Sequence, residues 1–132
     1  MKTKIIICSI IIVTITALTL AEVKEEYYKN GKLKSVCNYE SGKKEGVCKE
    51  YYKNVHLKSE LAYKDGKLQG ISKFYYKSSE LKSKKEYKDG ELDGYSTWYF
   101  KSGALKDWKY FRGGKRPERK LRSVPVSSPS SF

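Results

Sequence analysis

The chain has 132 residues, with 28 Lys and Arg against 15 Asp and Glu and a formal net charge of +13. That balance suits anionic partners. One histidine, His56, excludes a histidine-built metal cluster and a Ser-His-Asp arrangement.

Residues 1–21 read as an export signal. Lys2 and Lys4 make a positive start, Ile5 to Leu20 is apolar apart from Cys8, Ser9, Thr14, Thr16 and Thr19, and Thr19-Leu20-Ala21 offers small residues where a signal peptidase reads. Cleavage is expected after Ala21, with an uncleaved membrane anchor as the alternative, although the apolar run falls short of the ~20 residues of a spanning helix. Isoleucines precede Cys8, which does not fit a lipoprotein acylation site. The mature chain then carries 26 basic against 15 acidic residues and belongs at the cell envelope, periplasmic or secreted. It keeps Cys37 and Cys48, too few for a thiolate metal site but an even pair that an exporting compartment could oxidise.

From Val23 the sequence repeats every 24 residues without insertion or deletion, in copies 23–46, 47–70, 71–94 and 95–118. The fifth position is Tyr27, Tyr51, Tyr75 and Tyr99, and the sixth is Tyr28, Tyr52, Tyr76 and Phe100. The eleventh is Leu33, Leu57, Leu81 and Leu105, the twelfth Lys34, Lys58, Lys82 and Lys106, and the twentieth always glycine. Two turn signals per copy leave two strands each, which predicts an all-β, elongated antiparallel meander of about eight strands over residues 22–116, with no helix outside the signal. Asn30-Gly31, Asp65-Gly66 and Asp89-Gly90 suit two-residue type I′ hairpin turns. Val55 and Ser79 stand where glycine is wanted, so the first turns of copies two and three are expected to be wider than two residues. The first strand, near 23–28, should be an open edge able to pair with another chain.

A two-residue turn at Asn30-Gly31 would set Tyr28 opposite Leu33 and Tyr27 opposite Lys34. Alternation then collects Tyr28, Leu33, Tyr39, Leu68, Phe74, Leu92, Trp98 and their equivalents on a buried face. The other face gathers Val23, Val47, Ile71 and Tyr95 with Tyr27, Tyr51, Tyr75, Tyr99 and Lys34, Lys58, Lys82, Lys106 as a water-exposed ladder. For the cysteines, a turn at Ser41-Gly42 sets Cys37 against Gly46 and Cys48 against Ser35, about 7 to 8 Å apart, whereas a turn at Gly42-Lys43 sets them face to face. Both registers stay open at this point. Residues 117–132 are basic and Ser/Pro-rich and read as a disordered tail.

The stretches Tyr-Tyr-Lys-Asn-Gly-Lys-Leu-Lys (27–34) and Tyr-Lys-Asp-Gly-Lys-Leu-Gln-Gly (63–70) resemble the bacterial variant of the MORN repeat. The resemblance covers all four copies and implies an elongated sheet of successive hairpins. Members are often labelled antitoxin components of toxin-antitoxin systems or, by analogy, lipid kinases. A kinase would need a phosphate-cradling glycine-rich loop and a metal site, and neither motif is here. No nucleophile, base and oxyanion donor are gathered either, so no enzyme, cofactor or metal is expected. His56 reads as a solvated loop residue.

Function is therefore expected to be interaction: a non-enzymatic module at the envelope that binds a protein or an anionic lipid or polymer through the Tyr/Lys ladder. An antitoxin-like protein partner and a peripheral phospholipid binder are the alternatives, homo-oligomerisation through the first strand is open, and export argues against nucleic acid.

Overall fold

The computed structural model describes residues 21–117, which form one antiparallel sheet. Of the expected signal peptide (1–21) and tail (117–132), all but Ala21 and Pro117 lie outside the described residues. The strands are β1 (Ala21–Tyr27), β2 (Leu33–Glu40), β3 (Lys43–Tyr51), β4 (Leu57–Lys64), β5 (Lys67–Leu68), β6 (Gly70–Tyr75), β7 (Leu81–Lys88), β8 (Glu91–Tyr99) and β9 (Leu105–Phe111). They pair in chain order, so the expected meander is present; β5 and β6 are one rung interrupted at Gln69. No helix occurs among the described residues.

At one end of the sheet Asp65-Gly66 and Asp89-Gly90 form the expected turns, and the first copy takes the Ser41-Gly42 turn of its two open registers. Ser41-Gly42, Asp65-Gly66 and Asp89-Gly90 all have positive φ at both residues, the type I′ signature, between the pairs Glu40↔Lys43, Lys64↔Lys67 and Lys88↔Glu91. At the other end the expected register is wrong. Tyr27, not Tyr28, lies opposite Leu33, and Glu26 lies opposite Ser35, which leaves Lys34 as a bulged residue. The loop is Lys29-Asn30-Gly31, closed by Tyr28 N–H to Lys32 O at 2.8 Å and Gly31 N–H to Tyr28 O at 2.9 Å. All four copies use this three-residue loop, with the left-handed position held by Gly31 (φ 76°), Val55 (65°), Ser79 (81°) and Gly103 (84°). The first turns of copies two and three are thus wider than two residues, as expected, and copy one has the same loop in place of the two-residue turn expected at Asn30-Gly31. The repeat geometry forces Val55 into a conformation that costs a β-branched residue about 1–2 kcal/mol.

A second bulge recurs inside the sheet. Gly46, Gly70 and Gly94 have φ of 73°, 85° and 112° and mark places where the cross-strand register moves by two residues. Between β2 and β3, Asn38 pairs with Glu45 but Val36 pairs with Lys49, and Tyr87↔Leu92 gives way to Lys85↔Ser96 in the same manner. The break at Gln69 is the same feature, with Tyr63↔Leu68 before it and Glu60↔Lys73 after it. This corrects the cysteine argument. The turn is at Ser41-Gly42, which alone would separate the thiols, but the bulge at Gly46 carries Cys48 directly opposite Cys37 at a Cα–Cα distance of 4.3 Å, where the two sulfurs are joined.

Among the described residues no second layer covers the sheet. The most buried residues are small, namely Cys37, Cys48, Ser59, Ser72, Ser83 and Ser96, all on one face, where the aromatic rings are half-buried. Ser83 sits in register between Phe74 and Trp98, so a small side chain leaves room for rings to lie across the sheet. Neighbouring copies are also tied by a recurring hydrogen bond from the sixth-position tyrosine to the next fifth-position carbonyl: Tyr28 to Tyr51 at 2.7 Å, Tyr52 to Tyr75 at 2.8 Å and Tyr76 to Tyr99 at 2.8 Å. In the last copy this place is Phe100, which has no hydroxyl to donate. At the opposite end Glu45, Gln69 and Asp93 side chains accept the N–H of Asp65, Asp89 and Gly113. Stability of such a stack accumulates copy by copy.

Candidate functional site: a lysine and aromatic face

Alternation along the bulged strands decides which side chains share a face. Tyr27 donates to Glu25, and Tyr75 donates to Glu60 at 3.0 Å, so the fifth-position tyrosines lie on the side of Glu25, Glu60, Val47 and Ile71. The lysines expected beside them are elsewhere. Lys34 reaches Glu26 and Lys58 reaches Glu50, both at 2.9 Å, while Lys82 lies 5.7 Å from the Tyr76 ring centre and Lys106 5.5 Å from that of Phe100. The bulge turns each of these lysines onto the face of the buried serines. The predicted ladder of Tyr27, Tyr51, Tyr75 and Tyr99 with Lys34, Lys58, Lys82 and Lys106 is therefore split between the two faces. Of its tyrosines, Tyr27 is exposed and the other three are half-buried.

What the structure does bring together is a different set on the serine face. Lys24 lies 4.6 Å from the centre of Tyr39, Lys44 4.9 Å from Tyr63, Lys85 5.2 Å from Phe74 and Lys109 5.4 Å from Trp98. Lys82 and Lys101 flank Tyr76, the latter at 5.8 Å. An ammonium over a ring face is attracted by the ring quadrupole without being neutralised. These pairs occur in every copy. Lys24 and Lys44 stand at the second and twenty-second positions and Lys85 and Lys109 at the fifteenth, where the first two copies have Cys37 and Leu61. No lysine column therefore runs through all four copies, and only the register, bulges included, aligns them with rings.

In the first two copies Glu26 and Glu50 occupy the place held by Phe74 and Trp98 later, and the shorter side chains leave a groove between Lys24, Lys34, Lys44 and Lys58, above the cysteine pair. Burial pushes the Glu50 carboxyl up, but hydrogen bonds from Lys58 and Ser59 outweigh it and leave the group below its ordinary value. The hydrogen bond and charge of Lys34 hold Glu26 down likewise. On the opposite face, burial and then the Glu60 contact push the Tyr75 phenol up. His56 is exposed but not merely solvated: its Nδ1 meets Lys77 O at 2.7 Å, a contact that requires the Nδ1–H tautomer, and Asn54 donates to the same carbonyl.

Among the described residues no group of three or more His, Cys, Asp or Glu side chains is placed to hold a metal ion. The family model of the MORN repeat variant matches residues 23–41, 44–65 and 68–89. No curated protein and no solved structure matches the chain. The fourth copy, beyond the matched segments, has the same three-residue loop and the same bulged pairing, at Tyr99↔Leu105, as the others, and like copy three it lays its twelfth-position lysine over a ring. The chain is a MORN-repeat protein of the variant type.

Proposed function

We propose that the protein is an exported, non-enzymatic interaction module of the cell envelope, and that its lysine and aromatic face binds a phosphate-bearing surface, either lipid headgroups or an anionic envelope polymer. Repeats of this family serve as protein- and lipid-interaction modules. The observation that carries the reading is the row of lysine amines laid over aromatic rings in all four copies on one face. Rings fix the amines in place. Lys24 and Lys109 are shared with Glu22 and Asp107 at 3.4 Å, whereas Lys44, Lys82, Lys85 and Lys106 enter no ion pair among the described residues, so several weak contacts with a repeating anion act together.

The test is co-sedimentation of the purified protein with phosphatidylglycerol vesicles, with phosphatidylcholine vesicles, and with a soluble polyphosphate competitor. Binding to the anionic vesicles alone, weakening steeply with salt, is expected. Competition by polyphosphate assigns the shared phosphate chemistry rather than the bilayer as the ligand; equal binding to both vesicle types would refute the reading.

A further inference from the structure

The last strand departs from its equivalents in ways that neither turn nor core explains. Leu105 is 56% exposed, whereas Leu33, Leu57 and Leu81 are half-buried under a following strand. Trp108, 57% exposed, stands where earlier copies have Val36, Glu60 and Lys84, and Tyr110, 40% exposed, stands where they have Asn38, Ala62 and Glu86. Both rings pack against Tyr95, at 5.8 and 5.2 Å between centres. Sheet edges are ordinarily guarded by charge or a bend. Here an apolar patch is gathered at the edge instead, and such patches mark interaction surfaces.

Continuation onto β1 of another molecule is discouraged residue by residue. The internal pairs Ser35↔Glu50, Ser59↔Phe74 and Ser83↔Trp98 would become Asp107 against Glu26, and Lys85↔Ser96 would become Lys109 against Lys24. Both are like-charge pairs, which destabilise when directly opposite. Phe100 also lacks the hydroxyl that every internal copy gives to its neighbour.

Antiparallel pairing of β9 with itself has the opposite character. Side chains of paired strands keep to one face, so a two-fold axis must pass through a residue. An axis at Asp107 or Lys109 sets like charges against each other. An axis at Trp108 sets Asp107 against Lys109 of the second copy, twice, and brings the two Trp108 rings together beside both Tyr110 rings. In the single chain Asp107 accepts from Trp108 N–H at 2.8 Å and meets Lys109 at 3.4 Å. In the pair the carboxylate moves to Lys109 of the second copy, and edge-to-edge backbone hydrogen bonds replace its hold on Trp108. The geometry points to β9 as a homodimer edge, closed about Trp108, so that the chain forms discrete pairs rather than fibres.

A seven-residue strand pair buries less than a standard interface, which places association in the micromolar range. Sedimentation equilibrium of the purified protein at tens of micromolar is expected to show a monomer–dimer equilibrium. Asp107→Lys or Lys109→Asp alone should weaken it about tenfold by setting like charges opposite each other, and the double exchange D107K/K109D should restore it. Restoration separates pairing from damage to the fold. A wild-type monomer, single variants that dimerise undiminished, or a double variant no better than the singles would overturn the assignment, as would loss of the dimer on Glu25→Lys in β1.

Discussion

At the residue scale, the least comfortable position in the sheet is Val55. Its φ of 65° is set by the loop that Gly31 and Gly103 occupy without strain, and Ser79 shares the burden at 81°. Val55→Gly removes a clash between Cβ and backbone, while it also loosens the unfolded chain; the first effect is larger for a β-branched residue. Val55→Gly should raise the urea midpoint by the equivalent of about 0.5–1.5 kcal/mol, and Ser79→Gly by less. A lower midpoint for Val55→Gly would show that the valine side chain contributes more than its backbone costs. The need for glycine at these two places was legible from the repeat. That the chain would nevertheless keep the loop was not, because loop geometry here is dictated by neighbouring copies through contacts such as His56 and Asn54 to Lys77 O.

At the scale of strands and turns, the meander and its type I′ turns follow from Asp-Gly and alternation, while the two bulges do not. A glycine inside a strand pattern is the usual sign of a bulge, and Gly46, Gly70 and Gly94 recur every 24 residues in that setting. Taken as such, they place Cys37 opposite Cys48 with the turn still at Ser41-Gly42. The other bulge, at Lys34 and its equivalents, has no glycine to announce it and arises from the three-residue loop, so the sorting of lysines between faces was hidden. The cysteine pair gives a prediction. In protein purified under oxidising conditions, peptide mass mapping should show Cys37 and Cys48 resistant to alkylation before reduction, and reduction should lower stability by about 2–3 kcal/mol, the value for closing so short a loop. Two alkylated thiols without reduction would contradict it.

At the scale of the molecule, a one-layer sheet with small buried residues relies on rings, lysine stems and ion pairs across its surface. Glu26 and Glu50 both titrate below their ordinary value in the folded chain. Groups lowered by folding contribute stability above their unfolded pKa and lose it as pH falls through the folded one. The urea midpoint should therefore hold steady from pH 7 to about 5 and fall below that. Glu50→Gln should lower the midpoint at neutral pH and flatten the acid decline; an unchanged acid slope would show that the Lys58 pair is not coupled to folding.

On the proposed function one face of this sheet recognises anions; the alternative is that overall charge does. Two variants with equal loss of charge separate these. One changes Lys24, Lys44, Lys82 and Lys85 to Gln on the lysine and aromatic face, and the other changes Lys49, Lys64, Lys73 and Lys84 to Gln on the opposite face. Measured by co-sedimentation with phosphatidylglycerol vesicles at physiological salt, the first should lose binding by roughly 10- to 100-fold, as expected when several linked weak sites are removed together, while the second stays near wild type. Equal losses in the two variants would contradict recognition by that face.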